Sequence, residues 1–359
     1  MTRFPRTASG ALAALVVALC AACTAQGPAP SAPPSAAEGP TVAPSASAPL
    51  QAATAAANPF GPSSFWRASI ASAPAAPSSR AMVDYLVSTI TDRYNGIAAF
   101  NAHSYNSHLY VATPTTPKVD VAFTNCQSKT ATPAGVTGAG GQFDDVPIPV
   151  GAVAAVGTDQ ELSVYSPATD QLWEFWKAVR TADGGWAACW GGRMDGVSTS
   201  PGYFLGGFGA TATGLPNAGG AVRLSEIQAG RIDHAISIAI PAPAVATDFS
   251  WPAQRSDGFD ANPAALPEGS RLRLPAGLDL STLKLTPAGL AIAKAAQQYG
   301  FVVVDKAGSV SVIAEAVDKV DGVDPWKTAL GGLPDYSVLK NFPWSSLQVI
   351  QRDYGKPAQ

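Results

Sequence analysis

Apolar and polar positions along this chain keep two different periods, and the shorter one dominates. From residue 78, SSRAMVDYLVSTITDRY sets Met82, Leu86, Ile90 and Tyr94 four residues apart, one stripe of a helix that Ser78 or Ser79 can cap. Beyond it the period falls to two. HLYVAT, VDVAFT, ELSVYS, QLWEFWKAVR, WAACWGG, AVRLSE, HAISIAIP and RLRLP are short β-branched or alternating runs parted by Gly, Pro, Asn and Asp. They predict a mainly β fold: a single large β-sandwich of jelly-roll type with a few peripheral helices. A second helix is predicted over TPAGLAIAKAAQQYG, with Thr286 as N-cap, Pro287 at the first helical position and Gly300 as a left-handed stop. FVVVDKAGSVSVIAE then reads as strand, tight Gly turn and strand, so that helix and hairpin together cover one edge or end of the sandwich.

The first residues follow neither period. MTRFPRTASGALAALVVALCAAC carries Arg3 and Arg6, then an apolar run from Ala11 to Cys20, too short to span a membrane as a helix and suited to a secretion signal. Its end, LCAAC, resembles the lipobox of bacterial lipoproteins: Ala21 and Ala22 fill the small sites and Cys23 the lipidated one, although Cys20 stands where Leu is usual. The resemblance implies a lipoprotein signal peptide over 1–22 and lipidation at Cys23, with acyl chains as the membrane anchor. An ordinary signal peptide, giving a freely secreted protein, is the other reading. Residues 24 to 60 are almost all Ala, Pro, Ser, Gly and Thr. They hold too little bulky apolar surface to offset the entropy of ordering, which makes 23–60 a tether and 61–359 the globular domain. The expected location is the extracytoplasmic face of the cell membrane.

Composition removes partners more readily than it adds them. Without Arg3 and Arg6 the chain has 21 basic and 26 acidic residues, a net charge of −5, and only 14% of its residues are charged. That leaves no electrostatic footprint for nucleic acid. Of the four Cys, Cys126 and Cys189 remain for the exported domain, either as a disulfide or as two buried thiols. GxxxxGK[ST], strand–GxGxxG–helix, GxSxG and HExxH are all absent, so neither a cofactor nor a metal is expected. His103 and His108 lie too far apart for one helical face and offer no metal-ligand spacing.

DQLWEFWKAVRTADGGWAACW, residues 170 to 190, holds half of the eight Trp. As a strand it sends Leu172, Glu174 and Trp176 to one face and Trp173 and Phe175 to the other, so only one of the two Trp can line a groove. Glu174 beside Trp176 needs a partner or water, or else takes sugar hydroxyls or a proton. In GRIDHAISIAIP, His234 aligns with Ile236, Ile238 and Ile240, as a satisfied core residue or as a base at the bottom of a groove. The loop WPAQRSDGFDANPAALPEGSRLRL carries Trp251, Arg255, Asp257, Asp260 and Glu268. Arg255 and Asp257 are read there as a surface ion pair, or Arg255 as a fork for a uronate carboxylate.

The set of motifs from WEFWKAVRTADGGWAACWGG through GATATGLP and GRIDHAISIAIP to AAQQYGFVVVDKAG, roughly residues 150 to 315, is similar to a group of secreted actinobacterial proteins of unknown function. The resemblance implies export and a single β-rich domain, and carries no residue role. The residues themselves point to extracellular polysaccharide, bound or cleaved in an aromatic groove by a hydrolase or lyase. Glu174, His234 and Asp257 are the candidate catalytic groups, and Trp176, Trp190, Trp251 and Arg255 the candidate carbohydrate-binding ones. The rival is a non-catalytic envelope or adhesion lipoprotein whose tryptophans only pack the core.

Overall fold

The computed structural model describes residues 58–93 and 95–358. The signal segment, Cys20, Cys23, the Pro- and Ala-rich stretch up to residue 57, and Tyr94 lie outside the described residues. No helix among the described residues is long and apolar enough to cross a membrane.

The chain is mostly sheet with few helices. With strands numbered along the chain, a six-stranded mixed sheet runs in the order β1 (Ala99–Asn101), β12 (Ser311–Ile313), β9 (Ile236–Ile240), β11 (Phe301–Lys306), β10 (Arg271–Arg273) and β13 (Gln348–Val349). A four-stranded sheet orders β2 (Ser107–Val111), β4 (Glu161–Ser166), β5 (Gln171–Trp176) and β8 (Trp190–Asp195). A three-stranded sheet joins β3 (Val121–Phe123), β7 (Trp186–Ala188) and β6 (Val179–Arg180). The helices are α1 (Ser79–Arg93), α2 (Asn217–Gly220), α3 (Leu224–Ala229), α4 (Pro287–Gln298) and α5 (Pro325–Ala329).

Both predicted helices form. Val83, Leu86 and Ile90 of α1 are buried in the largest core cluster. Thr286 caps α4 by accepting from Gly289 N at 3.0 Å, Pro287 opens the helix, and Gly300 ends it at φ +78°. The Ala-rich face of α4, with Ile292, packs into the same cluster as Ile236, Ile238 and Ile240 of β9. Complete burial of each such Ile side chain contributes about 1.5–3 kcal/mol.

Two sequence expectations are corrected. AVRLSE is not a strand: Leu224 opens α3, because Arg223 N donates to Glu226 Oε2 at 2.9 Å across the first turn and Gly230 closes the helix at φ +65°. FVVVDKAGSVSVIAE does supply two strands, yet they do not pair as a hairpin. Strand β9 lies between them, parallel to β11 and antiparallel to β12, so the buried Ile-rich strand takes the hydrogen bonds that a hairpin would have closed locally.

The opposite faces read from QLWEFW hold in β5. Trp173 and Phe175 enter the core of the four-stranded sheet with Phe143 and Trp186. Leu172, on the other face, packs with Met194, Val302 and Val304. Cys126 and Cys189 are joined by a disulfide, with 5.3 Å between their Cα atoms.

Candidate functional site

A cleft of about 1210 Å³ opens where one end of the four-stranded sheet meets the six-stranded sheet. Register places the aromatic wall. Trp176 pairs with Trp190 across β5 and β8, and Leu162 with Phe175 across β4 and β5, so Glu161 stands at the same end of the sheet as both tryptophans. Trp176 Nε1 donates to Asp159 Oδ1 at 3.1 Å and Trp190 Nε1 to Gly207 O at 3.2 Å, which fixes both indoles from their polar edges. Phe208 stacks on Trp190 at 5.7 Å. The ammonium of Lys129 lies 4.7 Å from the Trp190 ring centre, and that of Lys177 lies 4.7 Å from Trp176. Such exposed cation–π contacts are worth only about 0.5–1 kcal/mol, little enough for a ligand ring to displace.

The backbone beside these side chains is strained. Gln160 (φ +44°) and Lys177 (φ +53°) are left-handed, and they face each other through Lys177 N to Asp159 O (2.7 Å) and Ala178 N to Gln160 O (3.0 Å). A non-glycine residue in that region costs about 1–2 kcal/mol, which is paid here to aim Glu161 and Trp176 into the cleft. Gly192 has the complementary role. A Cβ there would sit 2.7 Å from Phe208 Cβ and 2.9 Å from Gly209 N, so only glycine lets the 204–212 loop lie against the sheet.

The second wall comes from β11. Between Val303 and Asp305 its register against β9 shifts by a bulge, and as a result the consecutive residues Val304, Asp305 and Lys306 all line the cleft. A regular strand would have sent alternate residues to opposite faces. Asp305 accepts from Ala212 N at 2.9 Å and from Lys306 N at 2.8 Å.

Electrostatics follow from this enclosure. Burial pushes the Glu161 carboxyl well above the ordinary glutamate range, and Asp305, Glu174 and Asp159 add to the rise, against a hydrogen bond from Asn217 Nδ2 to Glu161 Oε2 at 2.8 Å. Asp305 is pushed up to about 7, first by burial. Glu268 also rises to about 7, through burial and the neighbouring Asp305. Asp257 pairs with Lys306 at 2.5 Å.

The cleft gathers Trp176, Trp190, Arg255 and Asp257 from the sequence candidates, and it does not include Glu174, His234 or Trp251. Glu174 is fully buried behind the cleft wall, accepting from Asn217 N (2.9 Å), Ala218 N (2.8 Å) and Ser163 Oγ (3.2 Å). Burial raises it to about 7 in spite of these donors. His234 is fully buried with Nε2 at 3.0 Å from Glu226 and Nδ1 at 2.8 Å from Ala235 O, the satisfied-core reading of that strand. Trp251 packs edge-on against Phe65, 5.8 Å away, in an interior cluster. Arg255 lines the cleft but does not pair with Asp257. Its Nε donates to Ala212 O (2.8 Å) and its Nη2 to Gly209 O (3.1 Å) and Thr211 O (2.7 Å), so the expected fork holds backbone carbonyls of the Gly-rich loop.

Glu161, Asp159, Asp305 and Asn217 were not among the sequence candidates. The signal was present for two of them. Glu161 is the polar first residue of an alternating run, and Asp305 is a carboxylate directly after four apolar residues. Which strand each would meet depends on sheet order, which one sequence does not carry.

No family model, no curated protein and no solved structure matches this chain.

Proposed function

We propose that this protein is a lipid-anchored surface protein that binds extracellular polysaccharide in the cleft and cleaves it with Glu161 as proton donor. One observation carries the reading: a carboxyl that burial raises well above the ordinary glutamate range stands at the same sheet end as two adjacent half-buried tryptophans. Indole faces suit the C–H faces of sugar rings, and a raised carboxyl suits general-acid work. Glu161 gives its proton to the glycosidic oxygen as the C–O bond breaks. Water then supplies hydroxyl to the anomeric carbon and returns a proton to Glu161. Lys129 and Lys306 line the cleft, and Lys129 and Lys177 rest on its two tryptophans, which favours a polymer with carboxylate or sulfate groups that draw those two lysines off the rings.

Packing of Leu172 and Met194, from the four-stranded sheet, with Val302 and Val304, from the six-stranded sheet, supports the sandwich reading at finer grain. Display outside the cell through lipidated Cys23 completes the proposal, and Cys23→Ala should then release the protein from the membrane fraction.

The protein is to be assayed on uronate-containing and neutral polysaccharides for new reducing ends, for unsaturated uronate products and for binding on a glycan array. Reducing ends lost in Glu161→Gln, with unfolding unchanged, are the expected result. Unsaturated ends would replace hydrolysis by lyase chemistry. Neither product nor array binding would leave the non-catalytic envelope reading in its place.

A further inference from the structure

We propose that Asp257, Glu268 and Asp305 form a binding site for a hard divalent cation of the calcium type in the β11 wall of the cleft. One carboxylate oxygen from each lies within 4.8 Å of the others. They arrive from different parts of the chain: Asp257 and Glu268 from the long loop between β9 and β10, and Asp305 from the bulge in β11.

Convergence of acids alone would be unremarkable, since Lys306 already pairs with Asp257. Glu268 is what separates this group from a solvated acidic patch. Its side chain is 0% exposed, Oε2 accepts from Asp257 N at 3.1 Å, and Oε1 has no hydrogen-bond partner among the described residues. A buried carboxylate oxygen without a partner is costly, and the surrounding acids make it more so. A cation shared by the three carboxylates satisfies that oxygen and removes their mutual repulsion together.

Donor chemistry selects the ion. All three ligands are carboxylate oxygens, with neither thiolate nor imidazole, which fits calcium or magnesium and not zinc or copper. The three donors lie within 4.8 Å of one another, close enough for one ion to reach all of them. Calcium, which accepts irregular oxygen shells, suits ligands drawn from a loop and a bulge better than magnesium, which demands near-ideal octahedral geometry. The cleft side of Asp257 and Asp305 leaves room for water or a ligand carboxylate to complete the shell. Lys306, whose side chain is 46% exposed, competes with the ion: its ammonium neutralises Asp257 when the ion is absent and swings into the cleft when it binds.

The test uses the full-length protein stripped with a chelator and titrated with calcium chloride by calorimetry, with thermal unfolding read in parallel. Saturable binding and a rise in Tm are expected. Asp257→Asn, at a half-exposed position, and Glu268→Gln should each weaken binding roughly tenfold or more, because calcium affinity follows ligand charge. Lys306→Met should bind as tightly or more tightly, and Asp183→Asn, in the exposed turn between β6 and β7 outside the cleft, should leave affinity unchanged. No saturable binding of calcium, magnesium or manganese to the wild-type protein and to Lys306→Met overturns the proposal, as does equal weakening in Asp183→Asn. If Glu268→Gln fails to fold, Asp257→Asn decides alone. None of these readouts involves a carbohydrate, so they stand or fall separately from cleavage in the cleft.

Discussion

Glu174 Oε2 accepts the backbone N–H of Asn217 at 2.9 Å, and the side-chain amide of that same Asn217 reaches Glu161 Oε2 at 2.8 Å. The carboxyl that the sequence marked for chemistry therefore acts one residue removed from it, by fixing the start of α2 and through it the orientation of Glu161. Glu174→Ala orphans two buried N–H groups and should cost at least about 2 kcal/mol by urea denaturation. Glu174→Gln keeps one acceptor and should cost less. Equal stability of all three proteins would remove Glu174 from this positioning role.

The same residue makes stability pH-dependent. Burial raises Glu174 to about 7 in the folded protein, against an ordinary value of 4.5. Between those values the folded state holds a proton that the unfolded state has lost, so the contribution is fully present below about 4.5 and disappears as pH rises through about 7. Tm should fall across this window, and Glu174→Gln, which cannot titrate, should flatten the slope. An unchanged slope would assign the pH dependence to other groups.

How much of this was legible before the fold is clearest in β5 and β9. Period two correctly separated Trp173 from Trp176, because side-chain alternation is a local property of a strand, but it did not reach His234, which lies in the bend before β9 and is held by Glu226 and Ala235 O. The candidate acids failed for the opposite reason. Glu174 looked exposed to chemistry only because the α2 turn that covers it lies more than forty residues on, a contact that no local pattern encodes. Asp305 needed the bulge in β11, and AVRLSE needed the Arg223–Glu226 contact, to depart from the alternation that both stretches display.

The Cys126–Cys189 bond spans 63 residues and ties the segment after β3 to the junction of β7 and β8, next to Trp190. Loop-closure entropy for that length gives about 4 kcal/mol. The double Cys126→Ser, Cys189→Ser variant should lower the urea midpoint accordingly, and wild-type protein under reductant should move to the same value. A reductant-independent midpoint would show that the bond adds nothing.

His103, at the cleft rim, bridges two acids: Nδ1 lies 3.0 Å from Asp335 and Nε2 lies 2.9 Å from Asp324, the N-cap of α5. Partial burial works against its charged form, but the hydrogen bonds to Asp335 and Asp324 outweigh this and raise its pKa above the ordinary 6.5. The bridge is therefore complete below about 6.5 and is lost as pH rises through the elevated value. An NMR titration should find the His103 ring titrating above the ordinary histidine range, and Asp335→Asn should bring it down. A ring that titrates at or below 6.5 in the wild-type protein contradicts the bridge.

Arg255 separates positioning from charge in the cleft. Three backbone carbonyls of the 209–212 segment take its Nε and Nη2, a fork that a lysine ammonium cannot reproduce although it carries the same charge. Phe208, which stacks on Trp190, belongs to the same loop, so slackening this clamp should loosen the aromatic wall without changing the charge that an acidic polymer meets. Arg255→Lys is expected to weaken glycan binding and to speed amide exchange across 207–212, while global unfolding shifts little. If Arg255 served mainly as a cation for substrate, Arg255→Lys would retain most of the affinity and leave exchange in the loop unchanged. Measuring both in one variant distinguishes the two roles, because only the clamp links affinity to the order of a loop on the other side of the guanidinium.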